Sequence, residues 1–469
     1  MASTFGGINT ALTSLYAQRR GLDVTGQNIA NVNTEGYTRQ RVRMQSQTGS
    51  LNPGVYSTTE QVGTGVTVAE VERGRNVYLE ERGRTEHANS AYLTSQKNTY
   101  DQIESVLAEP SDTALQSRLH DMWDAWNDVA NNWQDPSTRT ALIERSKTVA
   151  VTLNDTYGSL GNQFSAQNSE MSAYVDQVNT LSSSIADANN QIVIAQQAGL
   201  PANELQDERD RKIMQLSEMV GASSQTQKNG AVNVYVGSTA LVEGFQARSL
   251  QLTGPTTLDA ITPTDKVTLK WTDTGLDATP GGTMGSMLDS MNTIIPGIAG
   301  DLDTVAKSIA DTVNSAQAGG FTKDGTPGDD FFTGTTAATI AVKLTGPDEV
   351  AFSSANPADA DPTKVGLDHG VADKLVDIGN SADGPDATYQ SMIGRLGVSA
   401  QASSRRSEIQ DAVTDQVDTS RNAESGVNLD EEMTNLLTYQ RGYEAASRVL
   451  TTIDSMLDQL INRTGLVGR

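Results

Sequence analysis

The side chains that most often carry chemistry are scarce in this chain. It has no cysteine and three histidines, His87, His120 and His369. Disulfides, thiolate nucleophiles and Cys-ligated metal centres are therefore excluded, and no two histidines stand at the spacing of a metal pair. Hydrolysis of a glycosidic bond needs two carboxylates in one cleft. Candidate pairs exist at Asp301 and Asp303 and at Asp329 and Asp330, but a chain with 58 acidic residues produces such neighbours by chance, and they read as solvated faces and turns. Gly63-Thr64-Gly65 lacks the third glycine and following helix of a phosphate-binding turn. The stretch from Lys323 to Asp330 lacks the ligand spacing of a calcium loop. Trp123, Trp126 and Trp133 fall at helical spacing, which suits an apolar face docked on neighbouring helices better than a sugar platform. No catalytic residue, metal or cofactor is assigned.

Charge and hydropathy narrow the partners. The chain has 469 residues and a formal net charge of −24, a balance that disfavours nucleic acid and anionic membrane surfaces. No apolar run approaches the roughly 18 residues of a membrane helix. The start, Met1-Ala-Ser-Thr-Phe-Gly-Gly7, has neither the basic nor the apolar region of a secretory signal peptide.

The elements that must position whatever function exists are mostly long helices. From Leu153 through Tyr157, Leu160, Phe164, Gln167, Met171, Tyr174, Val178, Leu181, Ile185, Ala188, Ile192 and Ala195 the pattern steps by four and three, as in a coiled-coil seam. A second seam runs from Met284 through Leu288, Met291, Ile295, Ile298, Leu302, Val305, Ile309 and Thr312 to Ala316, with a kink expected at Pro296-Gly297. The two are expected to share one rod. Shorter helices are expected over about 76–108 and 112–133, and a long one over about 388–424. Residues 222–281 alternate as strands around Val232, Val234 and Val236 and again around Val267, Leu269 and Trp271. Residues 331–366 alternate more weakly. Together they predict one small β-rich domain on a helical rod.

Both ends carry heptads. Ile8, Leu15, Leu22 and Ile29 are spaced by seven at the start, as are Leu429, Leu436, Tyr443, Leu450 and Leu457 at the finish, so each end predicts an amphipathic helix. Asn428 and Glu431 have the spacing of a capping box. Residues 1–45 hold five Arg against Asp23 and Glu35, whereas residues 428–461 hold six acids against Arg441 and Arg448. Opposite charge favours pairing, and a chain that leaves and re-enters one end of a rod would pair these helices antiparallel. A single seam does not outweigh the entropy of ordering such a helix, so the ends are expected to gain order from neighbouring copies.

Two terminal motifs then become recognisable. Thr25-Gly-Gln-Asn-Ile-Ala-Asn-Val-Asn-Thr-Glu-Gly-Tyr-Thr-Arg-Gln40 resembles the N-terminal signature of bacterial flagellar rod, hook and hook-associated proteins. Ser425-Gly-Val-Asn-Leu-Asp-Glu-Glu-Met433, with Tyr439-Gln-Arg-Gly-Tyr443 and Thr451-Thr-Ile-Asp-Ser-Met-Leu457, looks most like the FlgK family of hook-filament junction proteins. Within the first motif, Asn28, Asn31 and Asn33 suit a helix end and Gly36 suits a turn of positive φ before Tyr37 and Arg39. The family pattern has proline where this chain has Glu35.

The resemblance implies a non-enzymatic subunit, exported unfolded through the flagellar type III channel and placed outside the cell. It would form a ring with copies of itself, contact the hook protein and a second junction protein, and offer its C-terminal helix to an export chaperone. The fold class is mainly α with a small β-rich insertion. Three units are expected: residues 1–60 with 428–469 as a terminal coiled-coil assembly domain; 61–221, 282–330 and 367–427 as a helical rod; and 222–281 with 331–366 as a β-rich outer domain. The rival readings are a hook or distal rod protein, and a secreted peptidoglycan-cleaving enzyme.

Overall fold

The computed structural model describes residues 4–47, 63–356, 368–379 and 381–463. Residues 48–60 of the expected terminal domain and 357–366 of the second β stretch lie outside the described residues. The chain opens with α1, Thr4–Ala30. Strands β1, Gln40–Gln47, and β2, Gly65–Arg73, then pair antiparallel as a hairpin against α1. Sequence reasoning missed this hairpin, because polar side chains dominate β1 and no clean alternation marks it.

Helix α2, Val77–Leu107, is capped by the side chain of Asn76, which accepts from the amides of Tyr78 and Leu79. It is followed by α3, Leu115–Asn131, and α4, Pro136–Gln197. The start of α4 has an Asp135 cap and proline in its first turn, a pairing that satisfies one free amide and removes another. At 62 residues and 1.5 Å per residue it spans about 93 Å. Helix α5, Asn203–Val220, ends on Gly221 at φ +67°.

Two small antiparallel sheets follow. One holds β3, Ser223–Thr226, β4, Val232–Val236, β5, Thr239–Glu243, and β6, Gln246–Ala247. The other holds β7, Leu250–Thr253, β8, Thr268–Trp271, and β9, Asp277–Ala278. Helix α6, Gly282–Asp289, passes through a π turn at Ser290–Ile294 into α7, Ile295–Ala318. The break expected at Pro296 thus falls one turn earlier, where the proline ring would meet the carbonyl four residues back. A last pair, β10, Phe332–Thr333, and β11, Ala341–Val342, precedes α8, Gly370–Gly379, α9, Pro385–Ser425, and α10, Leu429–Asp458.

The core follows both seams. Leu153, Leu160, Phe164, Met171, Val178, Ile185 and Ile192 of α4 are buried, as are Met284, Met291, Ile295, Leu302, Val305 and Ile309 of the α6–α7 stretch. Helices α2 and α9 run antiparallel beside them, joined by Glu80 to Arg421, His87 to Asp418 and Ser90 to Asp411. The tryptophans pack: Trp126 lies against Phe331 at 5.7 Å and Trp133 stacks on Phe352 at 5.6 Å.

Among the described residues the strands of the two stretches share no sheet; they are strung along α4 in separate sheets. Asn154 holds the carbonyls of Ala337 and Ile340 near β11, Asn179 holds both backbone groups of Leu250 in β7, and Asn189 holds both of Val232 in β4. Asn292 does the same for Val267 and Asn314 for Phe332. A carboxamide presents a donor and an acceptor in one plane, so Asn179, Asn189, Asn292 and Asn314 each stand in for a neighbour strand, whereas Asn154 only donates. Long helices supply such staples wherever an edge touches them, which is why the β residues need no common sheet.

Candidate functional site

Helices α1 and α10 lie antiparallel: Gly7 is opposite Ile453, Gln18 opposite Gly442, and Gly21 opposite Tyr439. The pairing direction is as expected. On α1 the buried positions are Ala11, Ala17, Gly21, Val24, Thr25 and Asn28, and on α10 they are Glu432 and Ala446, with Tyr439 and Gly442 half-buried. A Cβ on Gly21 would fall 2.7 Å from the Tyr439 ring, so only glycine permits this approach.

The heptad residues flank this seam. Ile8, Leu15, Leu22 and Ile29 are half-buried, as are Leu436, Leu450 and Leu457. Leu429 and Tyr443 are exposed. At Gly21 and Gly442 the absence of a side chain lets the two backbones approach closely. With Leu12, Tyr16, Met433, Leu437, Val449, Met456 and Leu460, all exposed, the heptad residues leave apolar flanks on both helices.

A buried polar clamp closes the inner end of the pair. Asn28, in the last turn of α1, accepts from the Gln40 amide at 3.0 Å and donates to the Gln40 carbonyl at 2.9 Å. Its carboxamide also donates to Glu432 at 3.0 Å and accepts from the Tyr37 hydroxyl at 2.8 Å. Arg39 donates through Nε to Glu432 at 2.7 Å and through a terminal nitrogen to Glu431 at 2.6 Å. Burial acts to lower the Arg39 pKa, but Glu431 and Glu432 together raise it above the usual value. The Tyr37 hydroxyl is pushed up by burial and by the nearby Asp207, Glu204 and Glu432.

The turn that delivers Arg39 is built as the signature predicts. Asn31 donates to the Gln27 carbonyl and accepts from Thr34, and Gly36 sits at φ +77°. Asn33 and Glu35 are exposed on the turn's outer side. The capping box at α10 is only half made: Asn428 accepts from the amides of Asp430 and Glu431, while the Glu431 carboxylate turns to Arg39. A charge-assisted bond to a guanidinium outweighs a return bond to one amide.

The clamp continues into the rod, where its partners in β2, α2 and α5 are residues that no sequence signal marked. Thr38 donates to Asp207 of α5 at 3.1 Å, and Asn203 reaches Gln40 and the Val71 carbonyl. Arg73 spans Asp207 and Asp210 at 2.7 and 2.9 Å, and Arg75 joins Asp210 to Glu80 of α2. Although burial acts to raise the Glu80 pKa, Arg75 and Arg421 bring it down to about 2. The acid pairs that suggested hydrolysis serve elsewhere: Asp301 binds Arg395, Asp303 accepts from the Ala337 amide, and Asp329 binds Lys343.

Known proteins are similar to this chain. The chain is 31% identical to flagellar hook-associated protein 1 of Bacillus subtilis, over 100% of both chains. It belongs to the FlgK family. A further family relative, flagellar hook-associated protein 1 of Salmonella typhimurium, is 25% identical over 97% of this chain and 99% of its own. The model of the FlgK helical domain matches residues 100–332, while the flagella basal body rod protein model matches 8–38 and the flagellar basal body rod FlgEFG C-terminal model matches 420–463. The last two cover α1 with its turn and α10, the segments that the clamp joins. The fold agrees with that of the flagellar hook junction protein FlgK from Burkholderia pseudomallei, at TM-score 0.64 and 15% identity, covering 74% of this chain and 100% of that one.

Proposed function

We propose that this FlgK-family protein is a structural subunit of the bacterial flagellum, forming the ring between hook and filament after type III export. The supporting observation is the α1–α10 pair, held at its inner end by Asn28, Arg39 and Glu432 and carrying exposed apolar side chains such as Leu12, Tyr16, Met433 and Leu437 on both helices. A monomer gains nothing by exposing Leu12, Tyr16, Met433, Leu437 and Met456 on its terminal helices, whereas a ring of copies buries them. The flanks, with Ile8, Leu15, Leu22, Ile29, Leu436, Tyr443, Leu450 and Leu457, are the proposed contacts to neighbouring copies, the hook protein and a second junction protein. The same α10 is the proposed grip of an export chaperone.

The match of residues 100–332 to the FlgK helical domain favours this reading over a hook or distal rod protein, whose likeness is confined to the two ends. The role is non-enzymatic and the site of action is the cell exterior. The deciding experiment deletes the gene. Cells are expected to keep hooks and shed flagellin as monomer, and complementation restores filaments. Cells lacking hooks as well would mark it instead as a hook or rod component.

A further inference from the structure

A cleft of about 840 Å³ opens between β2, the turn that follows α4, the start of α5 and the edge of the β3–β4 pair. Its inner wall carries Arg73, Arg75, Arg84 and Arg209 against two carboxylates, Glu80 and Asp210. Arg20, Glu70 and Glu72 also line it, and Glu70 is already paired with Arg43. Both inner carboxylates are engaged, Asp210 by Arg73 and Arg75 and Glu80 by Arg75 and Arg421. Behind the wall, Asp207 accepts from Arg73 as well.

Arg84 stands apart from this network. It is 8% exposed, its Nε has no hydrogen-bond partner, and among the described residues no carboxylate lies within ion-pairing distance of it. Arg209, 3% exposed, donates to Asn189, to the Gly230 carbonyl and, at 3.4 Å, to Asp210, a carboxylate it shares with Arg73 and Arg75. A buried cation without a counter-charge is among the costliest features a fold can hold. Burial, with the positive charges of Arg75 and Arg421, pushes the Arg84 pKa down to about 10 against the opposing charges of Glu80 and Glu81, and burial, with Arg73, Arg75 and Arg84, pushes Arg209 down to about 9. The wall of the cleft is completed by the first turn of α5, which has no side-chain cap.

We propose that this cleft is a binding site for a compact, doubly charged oxyanion of the phosphate class, with Arg84 as its principal ligand. Arg84 without an ion-pair partner, and Arg209 with only a 3.4 Å share of Asp210, leave the wall under-compensated, which suits a multiply charged anion. A guanidinium fork bonds two oxygens of a tetrahedral anion at once. Because the site touches β2, α4, α5 and the β3–β4 sheet, a bound anion would fasten the terminal hairpin to the rod.

The test uses the purified full chain at pH 7 and matched ionic strength, with inorganic phosphate, chloride or acetate as the probe. Phosphate is expected to raise Tm saturably, as a ligand that binds only the folded state does, and titration calorimetry should find one phosphate per chain. Arg84→Met should abolish both responses. In chloride it should unfold at the wild-type temperature or above, since it removes an unpaired buried cation. Arg84→Lys keeps the charge without the fork and is expected to bind phosphate at least tenfold more weakly, which keeps the test informative should the methionine variant not fold. An equal rise in chloride or acetate, or an undiminished phosphate response in either variant, would overturn the proposal.

Discussion

Glu432 is 1% exposed and binds two residues some 400 positions away in sequence, Asn28 and Arg39. Truncating it leaves a buried guanidinium with Glu431 alone and a carboxamide short of an acceptor. Breaking a buried charge pair from one side costs about 3–5 kcal/mol, and retention of Glu431 places Glu432→Ala near the lower figure. The loss should be local. Amide hydrogen exchange is expected to speed up through α10 and β1 while α4 stays protected, and equal protection of α10 in the two proteins would remove the clamp from the account. Sequence reasoning singled out Asn28, Gly36, Tyr37 and Arg39 from their resemblance to a signature. It placed Glu431 as a capping residue and held Glu432 only within the C-terminal motif, because the partner of a buried carboxylate is fixed by approach in space and leaves no periodic trace along the chain.

At the scale of elements, His87 of α2 bridges α5 and α9, with Nδ1 3.0 Å from Glu218 and Nε2 2.9 Å from Asp418. Its bond to Glu218 and the charge of Asp418 raise its pKa above the ordinary value despite partial burial. A group whose folded pKa is raised stabilises the fold fully below its unfolded value, roughly 6.5, and that contribution is lost as pH climbs through the folded value. Stability should therefore decline as pH rises from about 6.5 through the raised value, and this step should vanish in His87→Gln. Chemical denaturation across pH 5 to 9 checks it, and an unchanged step in the variant would assign it to other groups. Glu80 behaves oppositely: its depressed pKa of about 2 gives stability that is present above the unfolded value and fades as pH falls toward 2. The seams of α4 and of the α6–α7 stretch were legible because burial along a long helix repeats every three or four residues. The asparagine staples were not, since an asparagine that completes a sheet edge looks in sequence like one facing water.

The molecule as a whole divides its work between a packed rod and a thinly buried terminal pair. Leu450 is half-buried at the edge of the α1–α10 contact. Leu450→Asp places a charge at an apolar boundary and should leave the thermal unfolding of the rod unchanged, since none of the buried seam of α4 depends on it. Motility is the sensitive readout, because each copy in a ring repeats the defect. Cells carrying the variant should secrete the protein, checked in the medium, yet fail to hold filaments; normal swimming would show that α10 is not an assembly surface.

Composition and periodicity alone were enough for the helical class, the two long seams and the absence of thiol chemistry. The oppositely charged ends were enough to expect an antiparallel terminal pair. These properties depend on what each residue is and how it recurs, information that a linear string carries completely. The close approaches of Gly21 to Tyr439 and of Gly442 to Gln18 were decided only by tertiary structure, because backbone approach depends on what a residue lacks. The β1–β2 hairpin, the separate sheets along α4 and the clamp of Arg39, Glu432, Asp207 and Arg73 belong to the same class. Each is a meeting of segments remote in sequence, and its energy comes from geometry that exists only once the helices have packed.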